Sequence, residues 1–478
     1  MDHWLLLFDG DVIDGRSDSA RAGSSVLVQN ATIRALGEDA EVLRQLVPRG
    51  ERIVEIDASG KTVMPGLIDA HCHMTYGESR TQEEMDLYTS VELRTLIAAS
   101  NAAKVLRAGV TSISQPGGSY YIGVGLREGI KMGLVNGPHM FTAGRYISTS
   151  NGLTDYYPTS VGSPAGGIGM LANSLPEMLS EVRVQVKNGV DLIKLADSPY
   201  GQYQSFTGDE MKQIADLAHQ LGKTVTIHAR GSAEVGAAVD AGFDWIMHGN
   251  VMTDDVIEKL AASKIPLVPT LLLLSNLADW GDRCGAPANQ RDGCRRMLEK
   301  TAPTLHKARE AGVTMLSGTD SGFGVTPYGE WHAREMQLLM VYAGLSAAEA
   351  IRSMTSSAAV TVGAPGRAGE LAEGMRADLI VVDGDPLSDI AVLQDKSKIT
   401  TVVKAGEVVE FDEEVLAHRH SHPEVVYTYS QSAITYDSIY GDGPPVGEEP
   451  ILWEAGDAAD VARDLRRHEL DARAVVDA

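Results

Sequence analysis

The chain has 478 residues, 44% hydrophobic and 22% charged, a composition that can bury a large core and that excludes fibrous and disordered classes. Sixty-five Asp and Glu against 41 Lys and Arg leave a net charge of −24, which repels phosphate backbones and anionic headgroups and argues against nucleic-acid and membrane partners. Three cysteines, Cys72, Cys284 and Cys294, are too few for a disulfide framework or a cysteine zinc site, which fits a reducing, cytoplasmic compartment.

Asp2 and His3 stand where a secretory leader carries positive charge, so no leader is expected. No apolar run approaches the roughly 20 residues of a membrane helix. Residues 1–62 read as short strands closed by tight turns: LLLFDGDVIDG, SSVLVQNATIRALG and RIVEIDASGKTVMPG are alternating or β-branched and end at Gly, Asn or Asp. Residues 365–412 repeat this texture in ADLIVVDGDP and KITTVVKAGEVVEF, so the two segments are expected to pair into one small β-sandwich domain.

Between them, over 63–364, the apolar runs GVTSIS, DLIKLADS, TVTIHARG, DWIMHGN, IPLVPT and VTMLSGTD each stop at a polar residue. Amphipathic segments such as GDEMKQIADLAHQLG and TAPTLHKAREAG separate them, with apolar spacing near 3.6 and a closing Gly. This α/β alternation predicts a parallel sheet, and its repetition favours a closed, TIM-like (β/α)8 barrel. Residues 149–168, rich in Gly, Ser, Thr and Pro, are expected to form an active-site loop. The extension 413–478 is acidic and less patterned. Its His418, His420 and His422 read as solvated tail, and DAADVARDLRRHELDARAVV as a terminal helix.

The chemistry concentrates at the ends of the apolar runs. In PGLIDAHCH, His71 and His73 are two apart in a strand, so both can face one ion; the histidine pair alone is a weak signal, and the preceding PGLIDA gives it weight. Lys194 lies inside DLIKLADS, where a charged amine would carry a large desolvation cost. Either it snorkels to solvent, or it is neutralised, for example by carbon dioxide forming a carbamate that can bridge two cations. His228 and His248 end successive runs, and Asp320 closes VTMLSGTDSG; taken singly, the histidines read as ordinary core residues and the acid as a turn cap.

Taken in order, His71, His73, Lys194, His228, His248 and Asp320, with PGLIDAHCH, GTDSG and ADLIVVDGDP, resemble the amidohydrolase superfamily over residues 1 to about 411. The resemblance implies that His71, His73 and Asp320 hold one divalent metal, that His228 and His248 hold a second, and that carbamylated Lys194 bridges them. Zinc suits imidazole and carboxylate ligands, and cobalt, manganese or iron would also be accepted. It further implies that Asp320, Lys194 and His248 serve catalysis, with a metal-bridging hydroxide attacking an amide-type C–N bond and Asp320 carrying its proton.

TSISQPGG, LREGIKMGLVNGPHMFTAGRYIS and the spacing from GTDSG to Tyr328, His332 and Glu335 are most similar to the branch holding imidazolonepropionase-like and prolidase-like enzymes, with phenylurea and molinate hydrolases. An N-acyl amino acid, dipeptide, or aryl urea, carbamate or thiocarbamate is the implied small-molecule substrate. Alternatives on the same scaffold are cyclic-amide hydrolysis, a one-metal deaminase, which lacks the bridging lysine, and a silent binding barrel, against which every expected ligand is present. His139, Arg145, Tyr200, Tyr203 and His332 are candidate substrate contacts because each lies just beyond an apolar run or in a glycine-rich loop. A homo-oligomer is expected.

Overall fold

The computed structural model describes residues 2–37, 39–417 and 434–441. The expected terminal helix and His418, His420 and His422 lie outside the described residues. Among the described residues no helix is long and apolar enough to cross a membrane.

Five strands come first: β1 (Trp4–Val12), β2 (Arg21–Gln29), β3 (Thr32–Gly37), β4 (Ile53–Asp57) and β5 (Thr62–Pro65). The middle of the chain contributes β6 (Leu67–Asp69), β7 (Val110–Gln115), β8 (His139–Thr142), β9 (Tyr146–Ser148), β10 (Gly169–Leu171), β11 (Leu192–Ala196), β12 (Thr224–Gly231), β13 (Trp245–Val251) and β14 (Leu267–Val268). The last three are β15 (Leu379–Val382), β16 (Ile399–Lys404) and β17 (Glu407–Val408).

The terminal strands meet in one sheet ordered β17-β16-β15-β5-β1-β2-β3, with β4 on β1. β15 makes the join, pairing antiparallel with β5 from Leu379 opposite Pro65 to Val382 opposite Thr62. Its sequence, Leu-Ile-Val-Val, has no polar face, and strand alternation divides it between two cores. Leu379 and Val381 pack with Leu5, Leu7, Val26 and Val403, whereas Ile380 and Val382 pack with Met64, Val105 and Val110 toward the middle of the chain.

The middle strands are parallel, in the orders β6-β7-β8 and β10-β9-β11-β12-β13-β14. Backbone hydrogen bonds extend both sheets: Asp191 N donates to Thr142 O (2.8 Å) and Ala70 N to Ser317 O (3.0 Å), and Leu267 bridges Met315 in parallel. Helices alternate with these strands, so the mixed α/β content matches the sequence pattern. On the outward face Ile193, Leu195, Val225, Ile227 and Ile246 pack against Met178, Met211, Ile214, Val235 and Leu260 of the helices. On the inward face Leu192, Trp245, Met247, Val268, Leu316, Ala70 and Ala143 close a second core. Lys194 shares the parity of Leu192, and therefore points inward.

Two expected strands are shorter than their apolar runs. IPLVPT yields only Leu267–Val268, because Pro266 and Pro269 bracket the pair and proline offers no ladder N–H. VTMLSGTD retains a single bridge at Met315. Beyond it the chain passes so close to His71 that a Cβ on Gly318 would stand 2.7 Å from the His71 Cβ, so glycine is required at this approach.

Candidate active site

β6 ends at Asp69, and the next residues carry His71 and His73 inward, 2% and 0% exposed. The rings lie edge to face with centroids 4.8 Å apart, and each ring's outer nitrogen is engaged: His73 Nδ1 with Gly117 O at 2.8 Å, and His71 Nδ1 with Thr270 Oγ1 at 3.0 Å. A carbonyl can only accept, so Nδ1 of His73 carries a proton, and Nε2 is the nitrogen turned toward the acid. Both Nε2 atoms face Asp320, whose Oδ1 is 3.1 Å from that of His73 and 3.5 Å from that of His71. These three residues form a group whose ligand atoms all lie within 4.8 Å of one another.

His228 comes inward at the end of β12, and its ring centroid lies 4.3 Å from that of His248, which is 5.4 Å from that of His71. His248 is not where strand alternation would put it. Trp245 and Met247 face inward, so residue 248 would share the outward face of Ile246, but a left-handed backbone (φ 78°) turns its ring into the cluster. Thr270 and Asp320 are also left-handed, both at φ 56°. Three such non-glycine residues around one cluster, each costing about 1–3 kcal/mol, mark a site where geometry is imposed by the surrounding fold.

Lys194 is fully buried, with Nζ beside Met247 Sδ and 5.8 Å from the Tyr146 ring centroid. Burial brings its ammonium down to a pKa of about 7, against a weaker upward pull from Asp320. Burial likewise holds His71, His228 and His248 well below the usual histidine range. Asp320 is driven up by burial, but His71, the hydrogen bond from His73 and Arg230 together outweigh it and keep the carboxyl well below the usual range. Burial therefore favours neutral imidazoles at His71, His228 and His248 beside an ionised acid. Among the described residues, His228 Nε2 and His248 Nδ1 are buried without a hydrogen-bond partner. Orphaned lone pairs or N–H groups of this kind are costly unless something else engages them.

Residues outside the expected set complete the site. Tyr146 Oη lies 3.0 Å from His73 Nε2 and 2.6 Å from Tyr76 Oη, and the Tyr76 ring stacks on His73 at 4.3 Å. Arg230 stands two residues after His228 in β12, on the same face; its Nη1 donates to Asn250 Oδ1 (2.5 Å), and its Nε is buried with no partner among the described residues. That period-two spacing was visible in TVTIHARG. The 149–168 loop reaches the cluster, with Leu153 and Tyr156 packing against Tyr76 and Tyr146.

The expected substrate contacts divide. Tyr200 (66% exposed) and Tyr203 (46%) stand on the rim beyond β11, and Tyr203 Oη donates to Asn151 O (2.7 Å) of the 149–168 loop. Arg145 precedes inward-facing Tyr146, so alternation directs it away from the imidazoles. His139 begins β8 rather than ending it, and pairs with Asp378 (3.2 Å) at the opposite strand ends. His332 is 1% exposed with both nitrogens used: Nδ1 donates to Asp69 Oδ2 (2.7 Å) and Nε2 accepts from Gly329 N (3.1 Å). With no free nitrogen it is a structural residue, and within its grouping with Asp69 and Cys72 it is hydrogen-bonded to Asp69 while the Cys72 thiol turns to Met74 Sδ.

The fold and this cluster of imidazoles, acid and buried amine define a hydrolase-type α/β enzyme. The amidohydrolase family model matches residues 62–409, and the chain belongs to that family. It is 26% identical to ochratoxinase of Aspergillus niger over 435 residues, covering 84% of this chain and 86% of that protein. It is 26% identical to imidazolonepropionase of Geobacillus kaustophilus over 426 residues, covering 82% and 91%. A solved prolidase complexed with N-methylphosphonate-L-proline superposes with a TM-score of 0.74 at 27% identity, over 85% of this chain and 99% of that one. The chain is a hydrolase acting on carbon–nitrogen bonds.

The buried neutral groups make the chelator-stripped protein sensitive to pH. The unfolded chain protonates His71, His228, His248 and Lys194 more readily than the folded one does, so lowering the pH favours unfolding. The imidazoles contribute below about pH 6.5, their unfolded value. Lys194 contributes from its folded value of about 7 upward, by at most about 1.4 kcal/mol per pH unit. Between pH 7 and pH 9 the melting temperature of stripped protein is expected to rise relative to that of stripped Lys194→Met, whose side chain does not titrate. Parallel pH dependence in the two proteins would contradict the lowered pKa of the amine.

Proposed function

We propose that the protein is a metal-dependent hydrolase that cleaves an amide-type bond in a small molecule bearing a carboxylate, at the C-terminal mouth of a (β/α)8 barrel. The observation that carries this reading is the convergence of four imidazoles, three of them held neutral by burial, an ionised acid and a lysine drawn toward its uncharged form, with ring nitrogens of His228 and His248 left unpartnered among the described residues. The donor set fits divalent cations: His71, His73 and Asp320 would hold one, His228 and His248 a second, and Lys194 would bridge as a carbamate. Zinc matches these ligands best, with cobalt, manganese or iron acceptable. Such ions, when bound, supply an acidified water and polarise the scissile carbonyl.

A neutral Nζ at Lys194 attacks carbon dioxide, forming an N–C bond and releasing a proton, which leaves two carboxylate-like oxygens. Asp320, ionised across the neutral range, accepts the proton of the attacking water at Oδ and returns it to the leaving nitrogen. Tyr146 Oη, already held by Tyr76, is placed to donate to the developing oxyanion. Arg230 gives the site a fixed positive charge with an unused donor at Nε, suited to the carboxylate of a dipeptide or N-acyl amino acid. The prolidase neighbour, solved with a proline derivative, supports that class. The imidazolonepropionase relative favours a second reading, cyclic-amide hydrolysis by the same groups.

Cobalt-loaded enzyme assayed against N-acyl amino acids, Xaa-Pro dipeptides, cyclic amides, aryl ureas and thiocarbamates is expected to release amine from the carboxylate-bearing classes. Arg230→Met is expected to raise KM for these by roughly 10- to 100-fold, the worth of a hydrogen bond to a charged group, and to leave neutral substrates nearly unchanged. Equal effects on both classes would remove Arg230 from recognition. Failure to hydrolyse any member, with no stoichiometric metal, would overturn the enzyme's proposed chemistry.

A further inference from the structure

His332 and Glu335 lie one turn apart at the start of the helix Arg334–Ala343, and both reach inward beneath the cluster. His332 acts on Asp69, whose Oδ1 accepts from His71 N (3.0 Å) and Thr319 N (3.1 Å), fixing the backbone on either side of the site. Glu335 does something different. It is fully buried, and its oxygens accept from Leu271 N (2.9 and 3.0 Å) and Leu272 N (2.8 Å). Those amides open the helix Leu272–Trp280, whose N-cap Leu271 makes no capping bond of its own. A carboxyl group from elsewhere in the chain therefore supplies the missing cap, its oxygens accepting the first amides of the helix.

The residue before those amides is Thr270. Its left-handed backbone (φ 56°) is unfavourable for a β-branched side chain, so it must be held by its surroundings. Its Oγ1 lies 3.3 Å from Val268 O and 3.0 Å from His71 Nδ1. Because the hydroxyl donates to the carbonyl, it accepts from His71 Nδ1–H. The lone pair of His71 then sits on Nε2, on the Asp320 side.

We propose that Glu335 is a positioning residue: by gripping the Leu271 and Leu272 amides it holds Thr270 in its left-handed conformation, and so sets the ring orientation and tautomer of His71. The role rests on the reading of His71 as a metal ligand. Groups that orient a ligating histidine through its far nitrogen are worth about 10- to 100-fold in metal affinity.

The test is competitive zinc titration of the stripped full-length protein against a chromophoric chelator, with the absorption spectrum of the cobalt form as a second readout. Glu335→Ala and Thr270→Ala are each expected to weaken zinc binding by roughly 10- to 100-fold and to alter the cobalt spectrum. The double variant is expected to be no weaker than the weaker single one, since both act on one ring. Glu335→Gln, which keeps one acceptor oxygen, and Thr270→Ser, which keeps the hydroxyl, are expected to recover most of the affinity. Ile33→Val, a loss of packing in the terminal sheet, is expected to lower the melting temperature without moving either readout. Undiminished zinc affinity in Glu335→Ala, or additive losses in the double variant, would overturn the inference. Should Glu335→Ala not fold, Thr270→Ala against Thr270→Ser decides: equal affinity in the two overturns it. A wild-type protein that binds no zinc would instead overturn the metal reading itself.

Discussion

Lys194→Met is expected to lose hydrolytic activity by at least about 10³-fold while folding as well as the wild type, because the site and the fold make opposite demands on this residue. The fold would prefer methionine. The amine is enclosed by the inward core of Leu192, Trp245 and Met247, and burial has already drawn its pKa to about 7. A thioether of similar length removes that desolvation cost, so the melting temperature of the stripped protein should hold or rise. The proposed site needs the amine, because only a nucleophilic nitrogen can take up carbon dioxide and present two oxygens between the imidazole pairs. Metal content should therefore fall from two equivalents toward one. Wild-type protein reconstituted in carbonate-depleted buffer should share the defect and recover on adding bicarbonate. A Lys194→Met protein that retains two metals and near wild-type turnover would sink the bridging role.

How much of this was legible in the sequence follows from what each residue depends on. His71, His73, Lys194 and His228 could be placed because strand alternation decides which way a side chain points, and alternation is written in the sequence. The same rule would have supplied Arg230, two residues beyond His228. It fails at His248, whose inward direction depends on a left-handed turn that no local pattern announces. His332 was expected to touch substrate; its ring is consumed by Asp69 and Gly329, partners remote from it or hidden in a backbone amide. His139 was expected near the site, but it begins its strand instead of closing it. The Glu335–Thr270–His71 chain joins three separate stretches of sequence through backbone amides and one hydroxyl, groups that every segment possesses. The sheet shared by the chain's first and later strands was easier to anticipate, since β-branched alternation in both segments demands a partner.

Asp320→Asn is expected to lower kcat by about 10²- to 10⁴-fold, the usual worth of a positioned acid–base group, with little change in substrate KM. Asparagine can keep the strained backbone and the bond from residue 320 N to His71 O, because Asn tolerates the left-handed region. What it cannot keep is the charge. Asp320 is held ionised by His71, His73 and Arg230, and in turn it raises the pKa of Lys194 and His71. Without it, Lys194 should titrate below its value of about 7, leaving the amine more fully neutral. A defect in kcat that persists despite this cannot be assigned to loss of the neutral amine. The pH profile separates proton transfer from a shift in titration. Because the wild-type carboxyl sits well below the usual range, it stays ionised from pH 5 to 9 and contributes no acidic limb there. The variant should therefore show a lowered plateau across that range and lose no acidic limb that the wild type has. A wild-type acidic limb near pH 5 that vanishes in Asp320→Asn would mean the carboxyl titrates in the working range, and both its assigned ionisation and its role as the standing proton acceptor would have to be abandoned.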